Sequence, residues 1–340
     1  MRNITKLKDL AEELNVSITT VSKALNDHPD ISEKRKKEIQ EYARKVGYRP
    51  NQVAKSFRQS RTNMIGVILN DNDNPVNARI IRGIEGTLYK HGYCCVMMNN
   101  HESVDEELKM IDEMRSLNVA GILLSPAAGN SKSRELLKKY GIPYVLLNRF
   151  IQEEEDNYVV VDDYKAAYMA TEYLCQYQNE KVFFLNFMEE VSSAKKRLQG
   201  YKQALKDCGV DGKEDWIIKN CKNQTDGYES MKQILLHTEP PFSVLCYSDY
   251  IAVGAICAIQ ERGFKLPEDV ALVGNDDLDI LSFVKPRLTT VAVPKLRIGV
   301  RATELLLQLL NAQDNAAKED TETIDSHTVM EPQLVIRETS

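Results

Sequence analysis

The sequence predicts a small all-α head that contains a helix-turn-helix, followed by an α/β body of two doubly wound parallel-sheet subdomains. In residues 1–50, apolar side chains recur every three or four positions, as on one face of a helix. From residue 62 onward, short Val-, Ile- and Leu-rich runs alternate with helix-length segments, which is typical of parallel sheets covered by helices. A chain of 340 residues is long enough for two or three domains.

Charge is distributed unevenly along the chain. Residues 1–61 contain 14 Lys and Arg against 8 Asp and Glu, a net charge of +6, whereas the remaining 279 residues carry −12. A small basic segment on an acidic body is expected when the segment meets a polyanion such as DNA. A lysine-rich run such as KRKK at 34–37 is also typical of a solvated helix face, so charge alone does not decide.

The composition argues against several classes of protein. The hydrophobic and charged fractions, 43% and 28%, are those of a globular protein, and no apolar run reaches the roughly 20 residues of a membrane helix. The N-terminus lacks the apolar stretch of a secretion signal. Seven cysteines without C-x-x-C spacing indicate reduced thiols. We therefore expect a cytoplasmic protein with no membrane contact, metal, disulfide or cofactor.

Three short helices are predicted in the head. The first starts at Thr5 and is broken at Asn15, and the second follows Ser17, a plausible N-terminal cap. The third starts at Ser32 and ends at Gly47. Two short helices joined by a tight turn make a helix-turn-helix. The apolar faces are Ile4, Leu7, Leu10, Ala11 and Leu14; Val21, Ala24 and Leu25; and Ile39, Tyr42, Ala43 and Val46.

The exposed face of the second helix is the candidate DNA-reading surface. A helix-turn-helix inserts the N-terminal side chains of its second helix into the major groove. Hydroxyl, apolar and cationic side chains there can contact a base edge, a thymine methyl group or guanine. A plain solvent-exposed surface explains the spacing equally well. The residues concerned are Ile18, Thr19, Ser22 and Lys23.

Polar residues that close the apolar runs are the candidate ligand-binding residues of the body. Roughly ten strands would make a very large single sheet, so two sheets fit better. Open α/β sheets bind ligands beyond the carboxyl ends of their strands, and polar groups there suit a polyhydroxylated ligand. For any single position, an ordinary turn or helix cap is the simpler explanation. The candidates are Asn70, Asp71, Ser125, Asn148, Arg149, Ser248, Asp249, Asn275 and Asp276.

Long stretches of the sequence resemble one known family. The segment VSITTVSKALNDHPDISEKRKKEIQEYARKVGYRPN at 16–51 is similar to the DNA-binding headpiece of the lactose/galactose-repressor family of bacterial transcription regulators. The resemblance covers essentially the whole chain. Its further motifs are IGVIL at 65–69, IIRGIE at 80–85, R-x-x-G-Y at 197–201, SDYIAVGA at 248–255, VGNDD at 273–277 and PRLTTV at 286–291.

For the head, the resemblance implies a homodimer that binds a pseudo-palindromic double-stranded DNA operator, with each head in one half-site. The base contacts carry over to Ile18, Thr19 and Lys23. The family usually has Arg at position 23, and Lys lacks the planar fork of donors that Arg offers to guanine. The resemblance therefore does not fix the operator preference at that base.

Residues 51–57 resemble the hinge helix of the family, which enters the minor groove. Seven residues are too few for a stable isolated helix, so we expect ordering only over DNA. The candidate contacts are Asn51, Ala54, Lys55 and Phe57. Phe57 stands where the family usually has a Leu wedge, and Phe is also an accepted intercalating side chain.

For the body, the resemblance implies a periplasmic-binding-protein-like core with a small-molecule effector in the cleft between its subdomains. We expect a headpiece over 1–50, a hinge and linker over 51–61, and a core over 62–340 whose chain crosses between subdomains near residues 162, 292 and 320. A sugar or sugar phosphate is the effector that the resemblance implies. The residues that match effector-contacting positions are Asn148, Ser193, Arg197 and Asp276.

The sequence thus predicts an effector-controlled DNA-binding regulator, a repressor of a carbohydrate-related operon, and not an enzyme. One alternative is a cytoplasmic sugar-binding or sugar-acting α/β protein without a DNA-directed function. The sequence has no G-x-S-x-G, G-x-x-x-x-G-K-[ST] or G-x-G-x-x-G motif to support catalysis or nucleotide binding. A solute-binding receptor is a third possibility, against which the basic head counts.

Overall fold

The computed structural model describes residues 6–48, 62–177, 181–314 and 325–340. The predicted hinge contacts Asn51, Ala54, Lys55 and Phe57 lie outside these ranges and stay predictions. The chain divides into two compact units, Met1–Thr62 and Asn63–Ser340.

The N-terminal unit contains three helices, α1 (Leu7–Glu13), α2 (Ile18–Leu25) and α3 (Glu33–Lys45). The left-handed φ of 51° at Asn15 ends the first helix, and the Ser17 hydroxyl caps α2 by accepting a bond from the Thr20 N–H at 3.0 Å. Ser32 precedes α3, but its side chain makes no capping hydrogen bond. The predicted helix-turn-helix is confirmed. Its core consists of Leu10, Ala11, Val21, Ala24, Ile39 and Ala43.

The first lobe of the larger unit is a six-stranded parallel sheet in the order β11-β5-β4-β3-β1-β2. Helices α4 and α11 cover one face, and α5 and α6 cover the other. The elements are β1 (Met64–Leu69), α4 (Pro75–Lys90), β2 (Cys94–Asn99), α5 (Val104–Ser116), β3 (Gly121–Leu124), α6 (Lys132–Tyr140), β4 (Tyr144–Leu147), β5 (Tyr158–Val161), α11 (Lys295–Asp314) and β11 (His327–Met330).

The second lobe is also six-stranded, in the order β12-β10-β9-β8-β6-β7. Its strands are parallel except the edge strand β12, which is antiparallel to β10. Helices α7 and α8 cover one face, and α9 and α10 cover the other. The elements are α7 (Asp163–Cys175), β6 (Val182–Leu185), α8 (Ser192–Asp207), β7 (Ile217–Ile218), α9 (Gln224–His237), β8 (Phe242–Cys246), α10 (Asp249–Glu261), β9 (Val270–Asp276), β10 (Thr289–Ala292) and β12 (Gln333–Val335).

Three short connections join the lobes. The first is Asp162 alone, between β5 and α7, and the second is the pair 293–294, between β10 and α11. The third is the pair 331–332, between β11 and β12. This third passage lies later in the chain than the expected position near residue 320, because β11 still belongs to the first lobe.

Helices α4 and α11 pack so closely that side chains are excluded where they cross. A Cβ atom built on Gly83 would lie 2.3 Å from the Leu296 carbonyl oxygen, and one built on Gly299 would lie 2.1 Å from the Ile80 carbonyl oxygen. Contacts this short with backbone atoms force one helix to move. Glycine is therefore required at both positions.

We expect the substitution Gly83→Ala to lower the free energy of unfolding by about 1–3 kcal/mol, because the added methyl group overpacks the α4–α11 contact. Gly86→Ala is the matched control on the same helix, since a Cβ there meets nothing within 4 Å. That control should be neutral or up to about 1 kcal/mol more stable. Urea denaturation followed by circular dichroism compares the two. Equal midpoints for the two variants would contradict the predicted close contact.

Candidate DNA-reading helix and effector cleft

Helix α2 buries one face and exposes the other. Val21 and Ala24 are fully buried in the core of the head, whereas Ile18 is 43% exposed and Thr19 is also exposed. Ser22 and Lys23 are partly exposed. The four predicted base-contacting residues therefore lie on the side of α2 that a DNA groove can reach.

Lys23 has a partner that the sequence did not reveal. Its Nζ donates a hydrogen bond to Oδ2 of Asp30 at 2.7 Å, across the loop that joins α2 to α3. The bond and the charge of Lys23 lower the pKa of the Asp30 carboxyl below its ordinary value. The Lys23 ammonium is thus held in one place on the surface of the head.

A cavity of about 430 Å³ lies between the two lobes, where the carboxyl ends of both sheets meet. Its volume is in the range of small-molecule sites. All eight predicted effector-binding residues line this one cavity, although they come from both lobes and are up to about 200 positions apart in the chain. They are Asn70, Asp71, Asn148, Arg149, Ser193, Arg197, Ser248 and Asp276.

In the first lobe, Arg149 is held by Glu102 in a two-pronged ion pair. Its Nη1 and Nη2 donate to Oε2 and Oε1 of Glu102 at 2.9 and 2.8 Å, and the Asn70 amide donates to the same carboxylate at 2.6 Å. Burial disfavours charge on both groups, but their attraction outweighs it, lowering the pKa of Glu102 and raising that of Arg149. Both therefore remain charged at neutral pH.

In the second lobe, Arg197 is held in a similar way by Asp163. Its Nε donates to Oδ1 of Asp163 at 2.8 Å, its Nη1 donates to the Tyr247 carbonyl, and its guanidinium carbon lies 4.2 Å from the centre of the Tyr247 ring. Burial raises the pKa of Asp163, and the guanidinium opposes that rise. The two guanidinium groups of the cleft thus each have a carboxylate of their own.

Aromatic side chains form one wall of the cleft. The rings of Phe187 and Tyr247 stack with centroids 5.1 Å apart and an angle of 16° between their planes. The Tyr247 hydroxyl and the Ser193 hydroxyl are 2.8 Å apart and hydrogen-bonded. Tyr250 also lines the cavity. This part of the lining thus combines aromatic rings with hydroxyl groups.

Asp276 occupies an unusual backbone conformation at the end of β9. Its φ of 125° lies in a region that side-chain-bearing residues rarely adopt, and Lys295 donates hydrogen bonds to the carbonyls of Asp276 and Asp277. Burial and the nearby Asp249 carboxylate raise the pKa of Asp276 to about 7. Asp276 therefore lines the cavity as a group that gains or loses a proton near neutral pH.

Of the three other candidates from the strand ends, one lines the cavity and two do not. Ser125 lines the cavity, and its buried hydroxyl has no hydrogen-bond partner among the described residues. Asp249 does not line it and instead accepts bonds from the Thr290 hydroxyl at 2.6 Å and the Leu278 N–H at 2.8 Å. Asn275 also lies outside the lining and donates to Asp276 at 3.0 Å. Asp249 and Asn275 thus bond within the second lobe, and neither acts as the turn or cap that the simpler explanation expected, since Ser248 caps α10 and Asn275 lies within β9.

Sequence reasoning missed several residues that shape the cleft. Glu102 lies three residues beyond the end of β2, Asp163 begins a helix, and Tyr247 follows β8 as an apolar residue. None is a polar residue directly after a strand, which is the signal that found the others. The adjacent acids Asp162 and Asp163 were a usable signal, because a helix needs only one capping carboxylate. Asp162 caps α7 by accepting a bond from the Lys165 N–H at 2.9 Å, which leaves Asp163 for another role.

Two further features concern binding partners. Within the described ranges, no group of three or more His, Cys, Asp or Glu side chains is placed to hold a metal ion. No helix in the part of the chain that the structure describes is long and apolar enough to cross a membrane.

The fold and the cleft define a regulator class in which a helix-turn-helix head accompanies a two-lobed ligand-binding core. Residues 6–51 match the model of bacterial regulatory proteins of the lacI family, and residues 62–330 match that of periplasmic binding proteins and the sugar binding domain of the LacI family. The chain belongs to the LacI family and is a DNA-binding transcriptional regulator with an effector-binding core. The resemblance noted in the sequence is confirmed.

Named relatives match over most of their length. The chain is 30% identical over 332 residues to the HTH-type transcriptional repressor PurR of Mannheimia succiniciproducens, covering 97% of each chain. It is 33% identical over 312 residues to the HTH-type transcriptional repressor CytR of Escherichia coli strain K12, covering 90% of each. A lac repressor dimer bound to operator and the anti-inducer ONPF has a TM-score of 0.87 at 21% identity, covering 98% of each, and supports the fold.

The raised pKa of Asp276 predicts a pH-dependent stability. Between about pH 4 and pH 7 the folded chain keeps a proton on Asp276 that the unfolded chain has released, so stability falls as the pH rises through this range. Asp276→Asn is uncharged throughout. We expect this variant to gain stability relative to the unsubstituted protein as the pH is raised from about 5 to about 8.

Thermal unfolding at a series of pH values measures this difference. Asp211→Asn, at an exposed position, is the matched control and should show no such trend. A difference between Asp276→Asn and the unsubstituted protein that stays constant with pH would contradict the assignment.

Proposed function

We propose that this chain is a repressor that binds a pseudo-palindromic operator as a homodimer and is controlled by an uncharged carbohydrate in the cleft. The observation that carries the proposal is the pairing of both cleft guanidinium groups with carboxylates of the chain itself. The relatives named above are repressors, and the family model that matches the core is described as a sugar binding domain. We further propose that the protein acts in the cytoplasm.

The charge of the cleft favours a neutral ligand. Among its lining residues, five carboxylates stand against three cations, and two of those cations, Arg149 and Arg197, are already neutralised. A phosphate ester would bring a further negative charge, and it could pair with either guanidinium group only by displacing Glu102 or Asp163. Lys222 is the one lining cation whose side chain forms no ion pair with a carboxylate of the described residues. The carboxylates are Asp71, Asp73, Glu102, Asp163 and Asp276, and the cations are Arg149, Arg197 and Lys222. A sugar is therefore a better fit than a sugar phosphate.

The uncharged groups of the cleft suit a polyhydroxylated ring. Carboxylate oxygens accept from sugar hydroxyls, and guanidinium N–H groups and the free Ser125 hydroxyl can donate to them. The hydroxyl groups of Ser193 and Tyr247 and the ring of Tyr250 complete a lining that mixes polar and apolar groups. We propose that the ligand is bound and released unchanged, so that the protein acts by recognition and not by catalysis.

The effector acts by shifting a conformational equilibrium of the lobes. Asn148 and Arg149 line the cleft from the first lobe, and Ser193 and Arg197 line it from the second. A ligand that contacts both lobes stabilises the arrangement in which all of these contacts form at once. A population shift of this kind changes the weight of the state that binds DNA. Each head of the dimer then occupies a half-site, about one helical turn from the other.

Replacing Lys23 tests whether α2 contacts the bases of the operator. We expect Lys23→Ala to weaken binding to the cognate operator by about 1–3 kcal/mol and to have a much smaller effect on scrambled DNA, since a base contact carries the sequence information. The operator is first selected from random DNA with the full-length protein, and affinities are measured by fluorescence anisotropy at one salt concentration. Lys45→Ala, at an exposed position on α3, is the matched control. Equal losses on both DNAs would exclude Lys23 as a base reader.

The effector class is tested with a panel of neutral sugars and their phosphate esters. We expect calorimetry to show binding of at least one neutral sugar that is about tenfold or more tighter than that of its phosphate ester, because like charges oppose the ester. Glu102→Gln removes the carboxylate partner of Arg149 and should reduce the preference for the neutral sugar over its ester, whereas Glu113→Gln, at an exposed position on α5, should leave that preference unchanged. NMR of the recovered sugar should show no chemical change. Tighter binding of an ester, or turnover of the sugar, would contradict the proposal.

A further inference from the structure

Lys23 alone offers little discrimination between base pairs. An ammonium group is a point charge with rotating donors, whereas an Arg fork fixes two hydrogen bonds to guanine O6 and N7. A lysine in this place needs a second group nearby if the head is to distinguish one base pair from another. The structure places such a group beside it.

That group is the Asp30 carboxylate, 2.7 Å from the Lys23 ammonium. The contact uses only Oδ2, which also lies 3.3 Å from Nδ1 of His28, while Oδ1 makes no hydrogen bond to the described residues. The Asp30 side chain is 55% exposed. One carboxylate oxygen is therefore open to a partner from outside the chain.

The pair matches the major-groove edge of a G·C base pair. Guanine O6, an acceptor, and the cytosine N4 amine, a donor, lie side by side there as a hydrogen-bonded couple about 2.9 Å apart. Lys23 Nζ and Asp30 Oδ2 form a donor and an acceptor 2.7 Å apart, which is close to this separation, and Oδ1 of the same carboxylate is the oxygen open to the cytosine amine. We propose that Lys23 and Asp30 read one G·C pair as a unit, with the ammonium donating to guanine O6 and the carboxylate accepting from cytosine N4.

An A·T pair in the same orientation is rejected by both groups. The adenine N6 amine would face the Lys23 ammonium, and the thymine O4 acceptor would face the Asp30 carboxylate. Donor then meets donor and acceptor meets acceptor. The inference rests on the proposed DNA-reading role of Lys23, and it makes Asp30 a second determinant of specificity.

The other acid of the same loop is used differently. Asp27 accepts a bond from Gln40 at 3.4 Å and lies 3.9 Å from the ammonium of Lys36, and both partners belong to α3. Asp27 thus connects the α2–α3 loop to α3, whereas Asp30 connects the same loop to α2, the candidate DNA-reading helix. A carboxylate near DNA phosphates opposes binding by charge, so Asp30 weakens general affinity while it adds selectivity.

The test compares Asp30→Asn, Lys23→Ala and Asp27→Asn in the full-length protein. Affinities are measured at fixed salt for the selected operator, for each single-base-pair variant of its half-site and for scrambled DNA. We expect Asp30→Asn to reduce discrimination by about tenfold at one G·C position, the same position at which Lys23→Ala acts, and to bind scrambled DNA slightly more tightly. Asp27→Asn should leave the profile unchanged, and Asp30→Glu should retain part of the discrimination. Circular dichroism verifies that each variant is folded.

The possible results separate the two ideas. Suppose that Lys23→Ala reduces discrimination at one base pair, while Asp30→Asn changes discrimination at no position or at a different one. The proposal that the two residues read one base pair together is then wrong, but Lys23 is still a base-contacting residue. If Lys23→Ala weakens all DNA equally, both ideas fail. A change at the shared position with Asp27→Asn would show a general effect of loop charge and would also overturn the inference.

Discussion

The parallel direction of the strands is the constraint on which the cleft depends. The carboxyl ends of parallel strands lie at the same edge of a sheet. Residues that follow different strands are therefore neighbours in space although they are far apart in the sequence. Asn70, Asn148 and Arg149 reach the cleft from the first lobe in this way, and Ser248 and Asp276 reach it from the second. The single antiparallel strand, β12, lies at an outer edge and does not disturb this arrangement.

Buried charge is the second organising feature of the cleft. Burying a guanidinium or carboxylate is costly unless the group is paired and hydrogen-bonded, and removing one member of a buried pair is strongly destabilising. The Arg149–Glu102 and Arg197–Asp163 pairs meet this requirement within the protein. Because these two guanidinium charges are paired within the protein, hydrogen-bond geometry and shape are the basis of selection in the proposed function.

Much of the fold and most of the cleft follow from local sequence patterns. Polar residues directly after apolar runs identified seven lining residues, because strand ends are local features of a sequence. Ser193 and Arg197 lie inside α8 and were predicted only from the family resemblance. Glu102, Asp163 and Asp30 were missed because their roles depend on partners 47, 34 and 7 residues away. The third passage was placed too early for a related reason, since a four-residue strand such as β11 gives a weak signal beside a long helix.

The shortness of the three connections sets how the lobes can move. Connections of one or two residues, two of which contain a proline, at 294 and 332, leave little backbone freedom to slide or to unwind. The close α4–α11 crossing at Gly83 and Gly299 stiffens the first lobe itself. Any change in the angle between the lobes must therefore be accommodated within these three connections. Under the proposed function, a ligand that contacts both lobes acts on these few residues, so a local change of backbone angle at 162, 293–294 and 331–332 alters the position of one whole lobe relative to the other.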